Sequence, residues 1–264
     1  MKNFCCTVDD NIRFLKELST ARFSTIFEHP YLALYKRLHE KYGLKVQLNL
    51  FYEMDGFDLS MMTDRYRDEW LEISDWLKMS FHSRKENVKP YQTSGFDEVR
   101  EDCGIVHDEI ERFASPESLA KTTTLHYCLA THDGIAALRG CGVCGLVGLY
   151  GNHTSPKASY QNTPDECAVL RNGQLVVSDG MTYAAIDVVL NSYTRAEILE
   201  QLMYMTDRDH VHVMIHEQYF YPDYPRYQPD FEEKLDATFA FLTSNGFKSA
   251  FFEEIIGKKT PSIV

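Results

Sequence analysis

Acids and histidines punctuate the apolar runs of this 264-residue chain. Asp9 and Asp10 end the first run, and His82, His126 and His216 follow later ones. Carboxylate and imidazole together form a common ligand set for zinc and related divalent ions. The same two groups serve as general base and general acid near neutral pH. Ten histidines place some after apolar runs by chance, so the pattern gains weight only from the elements that would bring these residues together. A parallel α/β sheet does this, because it delivers side chains distant in sequence to one crevice at the carboxyl ends of its strands. The chemistry to test is metal-dependent hydrolysis.

The chain reads as such a sheet. Short apolar runs alternate with longer amphipathic stretches, the signature of repeated β-α units. Residues 4–8 form the first run, and residues 44–52 (LKVQLNLFY) alternate apolar with polar as a half-buried strand does. Residues 76–81, 122–128, 143–150, 184–190, 211–215 and 249–252 read as further strands. Helical spacing predicts helices after Asp10, from Pro30 to Gly43, and over residues 64–75, 94–113, 134–139, 195–205 and 230–244. A polar loop, SRKENVKPYQTSG, and an irregular insertion around 151–180, expected to carry a small hairpin rather than a core of its own, interrupt them. Residues 1–264 thus read as one domain of about seven β-α units with no linker and no internal repeat. That count fits a closed or nearly closed barrel better than an open doubly wound sheet.

Composition narrows the partners. Against 27 basic residues stand 39 acidic ones, for a formal charge of -12, which repels phosphate backbones and anionic membrane surfaces. Nucleic acid and membrane are therefore not expected. No apolar stretch approaches the roughly 18 to 20 residues that span a bilayer, and MKNFCCTVDD lacks a signal-peptide core, so the expectation is a soluble cytoplasmic protein. Seven cysteines at irregular spacing argue for reduced thiols, with Cys5 and Cys6 packed in the first strand. Cys141 and Cys144 form a CxxC with no second pair, which reads as structural. The sequon Asn152-His153-Thr154 marks an exposed turn, and Gly257-Lys258-Lys259-Thr260 lacks the upstream glycine of a phosphate loop.

TVDD after the first strand, FHS after the third and MIHE after a late one give the chain a resemblance to the NodB-homology polysaccharide deacetylases, carbohydrate esterase family 4. The resemblance covers residues 4–252 in order and position, and implies a distorted (β/α)7 barrel, one divalent metal and removal of acyl groups from an N- or O-acetylated carbohydrate. Thr7-Val8-Asp9-Asp10-Asn11 resembles the family's TFDDG, which makes Asp9 the general base and Asp10 a metal ligand. A capping role for both acids on the following helix is the alternative. His82-Ser83-Arg84-Lys85-Glu86 keeps the first histidine and the serine of HSxxH but not the second histidine. His82 is thus implied as a ligand, and the third falls to Glu86 or His126. His126 is preferred because Glu86 lies in a charged, solvated run. Met214-Ile215-His216 is similar to the family's Leu-x-His, whose histidine is the general acid. The implied ion is most simply zinc, with nickel, cobalt or manganese as alternatives.

Other features depart from that pattern. Leu125-His126-Tyr127-Cys128 stands near the place of RxPYG, so the arginine of that motif has no counterpart. Asp187 matches an orienting aspartate of the family, with an ion-pair or capping role as the alternative. Of His210 and His212, at least one is expected at a surface or edge. Tyr219, Phe220, Tyr221, Tyr224 and Tyr227 form a proline-spaced loop suited to stacking on sugar rings or to packing as a lid, while Tyr52, Trp70 and Trp76 read as core or as packing behind the site. Two other readings remain: a degenerate barrel that binds a carbohydrate or a partner without catalysis, and a hydrolase of another bond, in whose glycosidase form Glu53 or Glu217 would supply carboxylates.

Overall fold

A computed structural model of the protein describes residues 2–86 and 91–257. Its centre is β1 (Lys2–Asn11), whose run from Phe4 to Val8 is buried on both faces, as a strand covered by helices on one side and a barrel interior on the other must be. Around it stand β2 (Val46–Met54), β3 (Leu77–Lys85), β4 (Thr122–Thr123), β5 (Gly145–Gly148), β6 (Met181–Ala185), β7 (Val188–Val189) and β8 (His210–His216). Two parallel ladders run through them, β7-β8-β1-β2-β3 and β4-β5-β6.

The chain itself closes one seam between the ladders. β6 and β7 are halves of one segment broken at Ile186 and Asp187, where the Ile186 N–H donates to Gly148 and the Asp187 N–H donates to His212, both at 2.8 Å. The other seam, between β3 and β4, has no continuous ladder among the described residues: a bridge joins Met79 to Leu119, the Ala120 N–H donates to the Met79 carbonyl at 2.8 Å, and Thr123 Oγ1 and His82 Nδ1 donate to the carbonyls of Phe81 and Thr124. Counting β6 and β7 as one stave gives seven, a distorted (β/α) barrel not closed by a continuous ladder. The expected fold class holds.

Helices coat the outside: α1 (Arg13–Thr20), α2 (Pro30–Tyr42), α3 (Arg67–Glu72), α4 (Phe96–Phe113), α5 (His132–Gly140), α6 (Pro164–Arg171), α7 (Arg195–Met203), α8 (Phe231–Ser244) and α9 (Phe252–Ile256). Local chemistry sets their ends. Pro30 opens α2 with its preset φ, and Gly43, at φ 64°, closes it in the left-handed region. Thr163 with Glu166, and Thr194 with Glu197, form capping boxes at α6 and α7. Trp70 and Trp76 are core, as expected, while Tyr52 is only partly buried.

Three expectations are corrected. The strand read over 122–128 stops at Thr123, and the chain turns instead through His126–Cys128, where Tyr127 and Cys128 take positive φ (62° and 55°). The insertion at 151–180 contains the expected small hairpin, Val176–Ser178 antiparallel to β6, but also a helix, α6, that its prolines and glycines do not announce. Residues 249–252 supply no strand of their own. The late strand is Phe247–Ser249, parallel to the start of β1, and Phe252 begins α9.

Candidate metal centre and cleft

Three departures from regular backbone build the site. Along β1 and β2 the pairing steps from Val8 with Leu48 to Asn11 with Leu50, so β1 carries one surplus residue, and Asp10 takes φ 61° there. Successive side chains on a regular strand face opposite ways, but the bulge re-aims one of them. Asp9 and Asp10 therefore both line one cleft. On β3 the pairing passes from Phe81 directly to Ser83, leaving His82 as the surplus residue of a second bulge. His126 comes from the strained turn that replaces the end of the predicted strand. Strain of this kind persists where surrounding structure over-determines it, and it collects at functional sites.

The result is a small triangle of donors. Asp10 Oδ1 lies 3.1 Å from His82 Nε2 and 3.2 Å from His126 Nδ1, and the two nitrogens are 3.1 Å apart. Tetrahedral ligands at zinc distances of about 2.0–2.1 Å stand ~3.3 Å from one another, so these three atoms fit one face of such a coordination shell. The surroundings fit as well. His82 Nδ1 donates to the Thr124 carbonyl at 2.5 Å, which fixes the tautomer and frees Nε2 for the cluster. Gln218 Nε2 holds the other Asp10 oxygen at 2.7 Å, and the edge of Phe51 backs both imidazoles. Burial pushes the Asp10 carboxyl up, but hydrogen bonds from His126 and His82 outweigh it and hold Asp10 well below the usual carboxylate range. Burial pushes His82 down, and the charge of Asp9 with the hydrogen bond to Asp10 reverses this to a net rise. Among the described residues, this is the group of acids, histidines and cysteines close enough to share an ion.

Asp9 and His216 complete the cleft. They are register partners on the adjacent parallel strands β1 and β8, and neighbouring strands lie about 4.8 Å apart. Asp9 is 2% exposed. Burial raises its pKa, opposed by the nearby imidazoles of His82 and His216 and by a 2.7 Å hydrogen bond from Asn49 Nδ2. His216 Nδ1 is tied to Asn191 Oδ1 at 2.8 Å, which leaves Nε2 as the nitrogen able to exchange a proton. A cleft of about 690 Å³ holds Asp9, Asp10, His82, His126 and His216 together, so the five residues singled out from the sequence converge.

Several neighbours have other duties. Neither acid caps α1. Glu217 does, taking the backbone N–H groups of Ile12, Arg13 and Phe14 at 2.7–3.0 Å and the Tyr221 hydroxyl at 2.8 Å. Glu53 pairs with Lys85 at 3.0 Å, outside the cleft. Asp187 lines the cleft but is ion-paired with Arg208 and accepts the His212 backbone N–H at 2.8 Å; burial pushes it up to about 6. Both His210 and His212 are buried, against expectation, because β8 is covered on both faces. In the aromatic loop Tyr219 lines the cleft, while Phe220 and Tyr221 pack on Tyr31. Sequence reasoning missed Asn49, Asn191 and Gln218, whose amides are silent until the strands bring them beside charged partners.

No protein-family model and no curated protein matches the chain. Solved structures do. The 4-alpha-glucanotransferase of Thermococcus litoralis matches 99% of this chain at 15% identity with a TM-score of 0.62, and the chain spans 41% of that protein. A protein of Mycobacterium smegmatis assigned to the polysaccharide deacetylases matches 99% of this chain and 93% of its own length, at 11% identity and TM-score 0.59. A Bacillus cereus polysaccharide deacetylase matches 99% and 96%, at 11% identity and TM-score 0.52. The chain has the fold of the polysaccharide deacetylases. Within this deacetylase fold the sequence departs from the pattern at two points. Glu86 stands at the second histidine position of HSxxH; it is half-buried on the cleft wall, pushed up by burial and by the charge of Asp10, and lies outside the donor triangle, where His126 stands instead. Among the described residues, no arginine bonds to Asp9. Its partner is Asn49, whose own oxygen accepts from Gln47 Nε2 at 2.7 Å, while Gln47 Oε1 accepts from Thr122 Oγ1 at 2.9 Å. This buried chain fixes the orientation of each amide, so that the Asn49 NH₂ faces the carboxylate.

Proposed function

We propose that this protein is a metal-dependent hydrolase that removes acyl groups from an N- or O-acetylated carbohydrate. One observation carries the reading: a triangle of donors fit for a divalent ion shares its cleft with a buried carboxylate and a tautomer-fixed imidazole on adjacent strands. Asp10, His82 and His126 would hold the ion, zinc by the donor set. When bound, such an ion lowers the pKa of a water ligand and polarises a carbonyl. Asp9 accepts the proton of the attacking water, its carboxylate aimed by Asn49. His216 delivers a proton from Nε2 to the departing nitrogen or oxygen. Tyr127, Tyr193 and Tyr219 line the same cleft, the first 57% exposed, and offer apolar faces with hydroxyl edges suited to a sugar ring.

The test is acetate release from chitin oligomers and from O-acetylated xylan oligomers by the protein reloaded with zinc, cobalt, nickel or manganese. Turnover lost in Asp9→Asn with metal retained supports the reading. Stoichiometric metal with no acetate release from any acylated sugar overturns it in favour of a barrel that binds without catalysis.

A further inference from the structure

Five of the seven cysteines are buried, and in four of them, Cys5, Cys6, Cys128 and Cys167, burial is the main cause that pushes the thiol up, that of Cys128 to about 12. The other three lie near α4 and α5, away from the cleft. Cys103 is on the buried face of α4, with Sγ 3.5 Å from Nε2 of His107 one turn later. Cys141 ends α5 and is partly exposed. Its Sγ lies 3.8 Å from the carbonyl oxygen of Arg100, in the turn of α4 just before Cys103, which sets it against the helix that carries that thiol. Cys144, the other member of the CxxC, faces a different wall, where its Sγ lies 3.3 Å from the Lys121 carbonyl. The sequence neighbours diverge, and the spatial pair is Cys103 with Cys141.

We propose that Cys141 and Cys103 form a dithiol that a hydroperoxide oxidises to a disulfide, with Cys141 attacking and Cys103 resolving. Geometry assigns the order, because only Cys141 reaches solvent. The ionisation of the groups agrees. The hydrogen bond with Cys103 holds the Cys141 thiol down at about 7, with Arg100 adding to the effect and burial and Asp108 opposing it. That same hydrogen bond, then burial and the charge of Asp102, raise Cys103. Burial pushes His107 down to about 4, so it is a neutral imidazole at pH 7.

The steps balance. The Cys141 thiolate attacks the terminal oxygen of the hydroperoxide, the O–O bond breaks, and the alkoxide or hydroxide leaves to take a proton from solvent. Cys141 is then a sulfenic acid. Cys103 attacks the sulfenic sulfur as its proton passes to the departing hydroxide; the S–S bond forms, and the hydroxide leaves as water. Two thiols give up two electrons in all, and the peroxide is reduced to alcohol or water. A thiol with a pKa near ambient pH combines thiolate fraction with nucleophilicity, which makes Cys141 the reactive cysteine.

The experiment uses the full chain and does not depend on the hydrolase reading. The protein is treated with hydrogen peroxide, its remaining thiols are blocked with iodoacetamide, and tryptic peptides are mapped by mass spectrometry without reduction. The expected product is a Cys103–Cys141 linked pair, lost on dithiothreitol treatment. In Cys103→Ser, Cys141 should instead be trapped by dimedone as a sulfenic acid. A Cys141–Cys144 link, or peroxide-treated wild type in which Cys141 stays as reduced as buried Cys5, would overturn the proposal. The wild-type map decides even where the variant fails to fold.

Discussion

Asp10 and His82, whose Oδ1 and Nε2 lie 3.1 Å apart, are both surplus residues of β-bulges on strands that flank β2. Each bulge turns a side chain that regular pleating would send elsewhere toward the common cleft. The donor triangle thus depends on backbone irregularity as much as on side-chain identity. His82→Ala, His126→Ala and Asp10→Asn should each reduce bound zinc from near one equivalent to trace amounts after dialysis. Glu86→Gln, outside the triangle, should retain near one equivalent. Elemental analysis of the four variants checks this, and loss of metal from the Glu86 variant would hand the third position to that carboxylate.

Among the described residues, the hydrogen bond from Asn49 is the one that the structure gives Asp9, with the imidazoles of His82 and His216 acting on it by charge. A hydrogen bond to a charged group contributes about 1.5–3 kcal/mol, which corresponds to roughly 10- to 100-fold if it acts on the transition state. Asn49→Ala should therefore lower kcat for acyl release by that factor while leaving metal content unchanged. Asp9→Asn should cost more, ~10²- to 10⁴-fold, the usual range for a general base. An Asn49 variant with wild-type kcat would show that the buried amide chain serves packing alone.

Much of this was legible beforehand. The alternation of apolar runs with amphipathic helices announced the barrel, and the strand-end positions of Asp9, Asp10 and His216 pointed at one crevice. The bulges were not legible, because an extra residue in a ladder is a property of the pairing between strands and leaves no mark on the sequence of either. The strained turn at His126 was hidden for a similar reason: Tyr127 and Cys128 carry ordinary side chains, without the glycine that usually signals positive φ. Glu217 beside His216 stood open as a carboxylate of the glycosidase reading. Only the three-dimensional meeting of β8 with the start of α1 shows that three unsatisfied N–H groups claim it.

That meeting makes a prediction of its own. Glu217→Ala would leave the N–H groups of Ile12, Arg13 and Phe14 without their acceptor at a buried helix start. The expected loss is about 3 kcal/mol of stability, read as a lower urea midpoint. The variant that remains folded at low temperature should still bind metal and release acetate. If Glu217→Ala instead kept full stability and lost all turnover, the residue would be a catalytic carboxylate and the glycosidase reading would return.

His212 sets how the fold responds to acid. It is buried on β8 with Nε2 3.2 Å from Thr7 Oγ1, and burial, reinforced by His210, pushes its pKa down to about 3. His107 is likewise depressed by burial to about 4. A histidine held below its unfolded value of about 6.5 favours the folded state fully above that value, and the contribution is lost as pH falls toward the folded pKa. At pH 5 both groups lie inside that window, and each should have lost about 2 kcal/mol relative to pH 7, since 1.5 units at 1.36 kcal/mol each separate pH 5 from 6.5. The protein should therefore be about 4 kcal/mol less stable at pH 5 from these two residues alone. Glutamine at position 212 can keep a hydrogen bond to Thr7 and carries no titrating proton, so His212→Gln should halve that loss. Urea titrations of both proteins at pH 7 and pH 5 measure the difference, and equal losses in the two would mean that His212 enters the unfolded state with no change in its protonation.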